Sequence, residues 1–203
     1  WDTYLGDPGR QHYSPLAQID RENVVGLEEV WRYRSGEPTS LMYTSPLIID
    51  GVLYGLSPSL DVFALNASTG KELWRNELAL SGRAQRGLMW WQDGEDRRIL
   101  FTAGNQLIAL NADSGDLIAS FGDQGKLNLT PSMESRGGID VTVPGVIYRD
   151  KVILGFSTSE NSLAFPGTVR AFNVIDGSLE WTFHSIPLYG QPGSETWAEG
   201  ALE

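Results

Sequence analysis

One eleven-residue pattern occurs three times in the chain. It reads ALNASTGKELW at 64–74, ALNADSGDLIA at 109–119 and AFNVIDGSLEW at 171–181. The central glycines, Gly70, Gly115 and Gly177, stand 45 and 62 residues apart. A period of this size means that one small supersecondary unit is used repeatedly, each burying its apolar face on the next. The longer second interval implies an insertion.

Each unit reads as short β-rich runs. In the first they cover 46–50, 52–57, 61–66 and 71–76. Asp50 and Gly51 are a two-residue hairpin signal, and the turn NASTG puts glycine where positive φ is needed. The second unit carries RRILFTAG and QLIALN. The third carries GVIYRD, KVILGFS, TVRAFNV and SLEWTFH. No long segment of helical period survives between the turn residues. The expected fold is all-β: a partial β-propeller of four-stranded antiparallel blades, about three of them. A closed propeller needs about four to eight blades, so the chain reads as part of a larger ring. The expected division is an N-terminal segment 1–40 with a lone ring-closing strand at 28–34, blade 1 at 41–80 and blade 2 at 84–125. A connecting insertion at 126–143, blade 3 at 144–186 and a truncated linker at 187–203 follow.

Composition narrows the function classes. A net charge of −11 over 203 residues excludes a basic nucleic-acid face. No apolar run reaches the about 18 residues of a membrane span, so a soluble chain is expected. Without cysteine there is no disulfide, thiolate nucleophile or cysteine-ligated metal. The start at Trp1 rather than Met reads as a mature or trimmed form.

Chemistry concentrates in KVILGFSTSEN, residues 151–161. An apolar strand ends in the hydroxyls Ser157, Thr158 and Ser159, and then the carboxylate Glu160. These form a dense cluster of oxygen ligands, although a solvated loop has the same composition. Arg86, in QRGL, is by itself one arginine among several. Thr142, in DVTVPGV, reads equally well as a β-branched strand residue. His12 and His184 lack metal-ligand spacing.

Taken in order, these motifs resemble a known family. They are the opening segment 1–36, the repeats, AQRGLMWW at 84–91, ILFTAGNQLIALNADSGDLIASFGDQGKLNL at 99–129 and PGTVRAFNVIDGSLEWTFHSIPLYGQPGSETW at 166–197. The family is the quinoprotein alcohol and glucose dehydrogenases, which use pyrroloquinoline quinone (PQQ). The resemblance implies an eight-bladed propeller with PQQ and Ca²⁺ near its axis, its blades docked through the repeat tryptophans. Trp74 and Trp181 fit that role, and Ala119 replaces the tryptophan of the second repeat. Asn66, Asn111 and Asn173 stand where the family usually has Asp, and either side chain can cap the turn.

The resemblance also implies that Glu160 is a Ca²⁺ ligand, and that Arg86, Thr142, Ser157, Thr158 and Ser159 hold the quinone. Tyr43 stands where the family commonly has Glu, and brings no negative charge. The family's catalytic Asp base, its two other Ca²⁺ ligands and its tryptophan floor lie beyond the matched segment, so no catalytic residue is assigned here. The implied parent is a periplasmic dehydrogenase, of a family with soluble and membrane-associated forms, that oxidises an alcohol or sugar hydroxyl with hydride transfer to the quinone. The 203-residue chain itself is expected to be inactive and empty of cofactor. The other reading is a non-catalytic scaffold built from the same repeat. Open blade faces, and an unpaired strand at 28–34, lead to an expectation of self-association.

Overall fold

The computed structural model describes residues 1–36, 41–83, 85–130, 138–157, 165 and 167–198. Three four-stranded antiparallel sheets follow one another along the chain. The first is β1 (Leu47–Ile49), β2 (Val52–Leu56), β3 (Val62–Asn66) and β4 (Glu72–Asn76). The second is β5 (Met89–Asp93), β6 (Asp96–Ala103), β7 (Gln106–Asn111) and β8 (Lys126–Asn128). The third is β9 (Val146–Tyr148), β10 (Lys151–Leu154), β11 (Thr168–Asn173) and β12 (Leu179–His184). Each is a meander of neighbouring strands, the blade form expected from the repeat. No described helix is long and apolar enough to cross a membrane.

Local chemistry explains the turns. Asp50 (φ 49°) and Gly51 (φ 79°) join β1 to β2 in the left-handed pair that matches strand twist. Asn66 Oδ1 accepts the N–H groups of Ser68 and Thr69 at 3.1 and 3.0 Å. Asn111 does the same for Asp113 and Ser114 at 2.9 and 3.0 Å, and Asn173 for Ile175 at 2.8 Å. The asparagines therefore act as turn caps.

The middle sheet is buried on both faces, which is why β6 and β7 read as continuous apolar runs. Ile99, Phe101, Ile108 and Leu110 face the first sheet, with Leu47, Tyr54, Leu56 and Val62. Leu100, Leu107 and Ala109 face the third, with Val152, Leu154 and Phe172. Trp90 and Trp91 both pack. Trp90 lies 5.8 Å from the Tyr54 ring, and Trp91 is buried beneath Arg98.

Two features differ from the sequence expectation. The last strand of the second sheet is split. Leu117 bridges Leu110, the chain then makes an excursion, and β8 resumes pairing at Lys126, inside the stretch read as a connecting insertion. The excursion inserts Phe121, fully buried, against Gly177 of the third sheet, with its Cζ 3.4 Å from where a Cβ would stand. Phe121 thus takes the docking place that Ala119 vacates. Residues 28–34 carry no strand. Trp31 and Tyr33 lie on the outer face of the first sheet instead. The indole Nε1 of Trp31 donates to the Ala67 carbonyl at 3.1 Å, and the Tyr33 ring sits 4.8 Å from Phe63. The segment thus docks through its side chains and pairs with no strand among the described residues. Trp181 and Phe183, on the outward face of the third sheet, are exposed.

Tyr54, 2% exposed, is wedged between the first two sheets beside Trp74 and Trp90. Burial, reinforced by the Asp113 carboxylate, pushes its phenol from 10.0 to about 12. The unfolded chain ionises at the lower value, so this contribution is intact below about pH 10 and is lost as pH climbs toward 12, by about 3 kcal/mol. Urea unfolding of Tyr54→Phe across the alkaline range should show a correspondingly shallower decline than wild type. Equal alkaline sensitivity of the two chains would contradict the assignment.

Candidate functional site

Where each sheet's first strand begins, the chain runs beside the equivalent stretch of the next sheet. The Ser45 N–H donates to the Arg86 carbonyl at 2.9 Å, and the Thr44 hydroxyl donates to the Gln85 carbonyl at 2.9 Å. The Arg86 N–H in turn donates to the Thr142 carbonyl at 3.1 Å. Three segments that are far apart in sequence thus form one backbone ladder across the inner ends of the sheets. Glycine is required at position 87. A Cβ there would stand 2.8 Å from the Tyr4 ring and 3.1 Å from Pro144 Cγ.

A buried polar knot holds the ladder. Gln85 and Thr102 are both buried. The Thr102 hydroxyl lies 2.7 Å from the Val141 carbonyl and 3.0 Å from Gln85 Oε1, while Gln85 Nε2 donates to the Arg83 carbonyl at 3.1 Å. On the far side Asp140 and Ser157 exchange backbone hydrogen bonds of 3.1 and 2.8 Å. The end of β10 is thereby drawn to the start of the third sheet.

These contacts enclose a cavity of about 410 Å³, within the size range of small-molecule sites. Thr142 and Ser157 line it, with Asp140, Gly155, Phe156 and Arg10. Arg86 is exposed and joins Thr142 through the backbone, but is not part of the cavity wall. Its guanidinium has no hydrogen bond or ion pair among the described residues. Thr158, Ser159 and Glu160 lie outside the described residues. Tyr43 is exposed beside the ladder.

Two lining residues were not legible in the sequence. Asp140 carries one oxygen ion-paired to Arg83 Nε, while its Oδ1 is buried without a partner among the described residues. Arg10 comes from the N-terminal segment, outside every repeat, where no periodic signal marks it. Behind Phe156 lies Arg170, its guanidinium 4.8 Å from that ring and 5.3 Å from Phe172. Burial lowers its pKa, and its Nη2 donates to the Leu129 carbonyl at 2.7 Å.

The donor set suits an anionic ligand with an accompanying cation. Guanidinium groups can meet carboxylates, hydroxyls can meet either, and the orphaned Asp140 oxygen awaits a donor or a metal. No described group of three His, Cys, Asp or Glu could hold a metal ion alone. A Ca²⁺ ion, with its six to eight oxygen ligands, would need further donors.

The family described as "PQQ: Glucose/ethanol/alcohol dehydrogenase, beta-propeller domain" matches residues 1–202. A quinate/shikimate dehydrogenase (quinone) from Acinetobacter baylyi is 29% identical over 220 residues, covering 90% of this chain and 27% of that protein. The dehydrogenase subunit of an alcohol dehydrogenase (quinone) from Gluconacetobacter polyoxogenes is 32% identical over 199 residues, covering 92% of this chain and 25% of its own length. The crystal structure of quinohemoprotein alcohol dehydrogenase from Comamonas testosteroni superposes with a TM-score of 0.76 at 26% identity, over 93% of this chain and 27% of that one. The chain therefore spans about a quarter of the length of the curated relatives it matches.

The polar knot yields a direct test. Thr102→Val removes the single hydroxyl proton shared by the Val141 carbonyl and Gln85 Oε1, leaving a buried acceptor without its donor, so it should cost about 1–3 kcal/mol. Thr102→Ser should recover most of that in denaturant unfolding. A valine variant as stable as wild type would show that the knot does not hold the ladder.

Proposed function

The chain belongs to the PQQ family of glucose, ethanol and alcohol dehydrogenase β-propeller domains, and we propose that it forms one wall of the quinone site of an enzyme oxidising an alcohol or sugar hydroxyl in the periplasm. The observation that carries this reading is the backbone ladder joining Ser45, Arg86 and Thr142, with Ser157 drawn to the same cavity. Residues leading into all three sheets are aligned there by backbone hydrogen bonds.

In this reading Arg86 holds a carboxylate or quinone oxygen of the cofactor. Its charge persists at any working pH, and its fork of donors suits planar oxygens. Thr142 and Ser157 supply hydroxyls from opposite sides of the Asp140 pairing. Thr158 and Ser159 complete the polar run, and Glu160 contributes a carboxylate to Ca²⁺. When bound, PQQ supplies the hydride acceptor and Ca²⁺ the Lewis acid that polarises it. This chain's part is binding and orientation. Asp140 is engaged by Arg83 and is not assigned as the base that takes the substrate proton.

Calorimetric titration of the 203-residue chain with PQQ and Ca²⁺ should show weak binding, reduced about tenfold or more by Arg86→Ala, the usual cost of losing a charged hydrogen bond. Dye reduction with added PQQ, Ca²⁺ and a panel of alcohols and sugars should show no turnover by this chain alone. Tight binding indifferent to Arg86→Ala would refute the site, and quinone-dependent turnover would refute the division of labour.

A further inference from the structure

We infer that Arg10, on the N-terminal segment, is an additional binding residue of this cavity and takes a carboxylate of the bound cofactor. The inference rests on the quinone-site reading above and extends it to a part of the chain that lies outside the blades.

The N-terminal segment is fastened across the inner ends of all three sheets. The Trp1 carbonyl accepts the Ile48 N–H at 2.9 Å, on β1. The Tyr4 ring fills the space over Gly87, just ahead of β5. Arg10 then reaches the entry to β9, where its Nη2 donates to the Pro144 and Gly145 carbonyls at 3.0 and 3.2 Å. The guanidinium is further placed by the Tyr4 ring, 5.3 Å away. The Arg10 backbone is held at φ 53°, in the left-handed region that a side-chain-bearing residue enters only when its surroundings demand it. The segment's path and the arginine's position are thus fixed together.

Arg10 has charge to spare at this place. It borders the 410 Å³ cavity beside Thr142 and Ser157, yet it forms no ion pair among the described residues. Two backbone carbonyls occupy one terminal nitrogen. Nε and the other terminal nitrogen keep their hydrogens without a described acceptor. The one carboxylate in the cavity wall, Asp140, pairs one oxygen with Arg83 and, among the described residues, neither with Arg10. Arg170 adds a second cation behind Phe156, without an ion pair among the described residues. A half-buried cavity with this balance selects an anion, and a guanidinium selects planar oxygen pairs. PQQ carries three carboxylates, more than Arg86 alone can meet.

The test separates charge recognition from folding. Wild type, Arg10→Gln and Arg10→Lys are titrated with PQQ and with its trimethyl ester, each with Ca²⁺, by tryptophan fluorescence. Glutamine can still donate to the Pro144 and Gly145 carbonyls but carries no charge. Wild type should prefer the free acid over the ester by about tenfold or more. Arg10→Gln should lose most of that preference, and Arg10→Lys should retain part of it. An undiminished preference in Arg10→Gln, with binding still dependent on Arg86, would overturn the role of Arg10 and leave the quinone site intact. Failure of wild type to bind either compound would overturn the site reading, and Arg10 with it.

Discussion

The structure depends on one contact, an aromatic ring laid flat on a glycine turn of the neighbouring unit. Trp31 lies over Gly70 and Trp74 over Gly115, where an added Cβ would stand 2.6 and 2.5 Å from the indole. The same glycines have φ of 68° and 77°, so each is required twice, by the turn and by the ring above it. The indole N–H completes the dock on the carbonyl three residues earlier, Ala67 at 3.1 Å and Ala112 at 3.0 Å. At the third dock Phe121 has no N–H to give. There the equivalent carbonyl, Val174, accepts from Arg98 Nη1 at 2.8 Å, and the Gly122 amide adds a bond to the Asp176 carbonyl at 2.9 Å.

Docking at the repeat turns has its consequence at the inner ends. Once each sheet is seated on the next, the stretches leading into β1, β5 and β9 are close enough to share backbone hydrogen bonds. Their groups need those bonds, because burial without partners is costly. The ladder through Ser45, Arg86 and Thr142 is the result, pinned by the buried Thr102 and Gln85. The site is thus a product of sheet packing rather than of any local motif, and its residues come from three separate units.

The strands and turns were legible because their signals are local. Asp50 and Gly51, the capping asparagines and the short apolar runs of β2, β3, β6 and β7 all act within a few positions. Phe121 was not legible. It reaches its dock through an excursion of the fourth strand, and its neighbour Ala119 occupies the repeat position that draws the eye. Residues 28–34 read as a strand because Trp31 sits as Trp74 and Trp181 do, yet a ladder needs a partner that periodicity cannot supply. Arg86 and Thr142 became candidates through resemblance, and their adjacency was visible only after folding. Arg10 and Asp140 carried no signal at all, since neither belongs to a repeat and both act through long-range contacts.

Amide chemical-shift mapping of the isotope-labelled chain, titrated with PQQ and Ca²⁺, tests the central claim most directly. The account predicts that shifts concentrate at Ser45, Arg86, Gly87, Asp140, Thr142 and Ser157, with the amides of β4 and β12 unmoved. Shifts confined to the opposite turns, at Asp50, Gly51, Arg149 and Asp150, or to the outer strands, would contradict it.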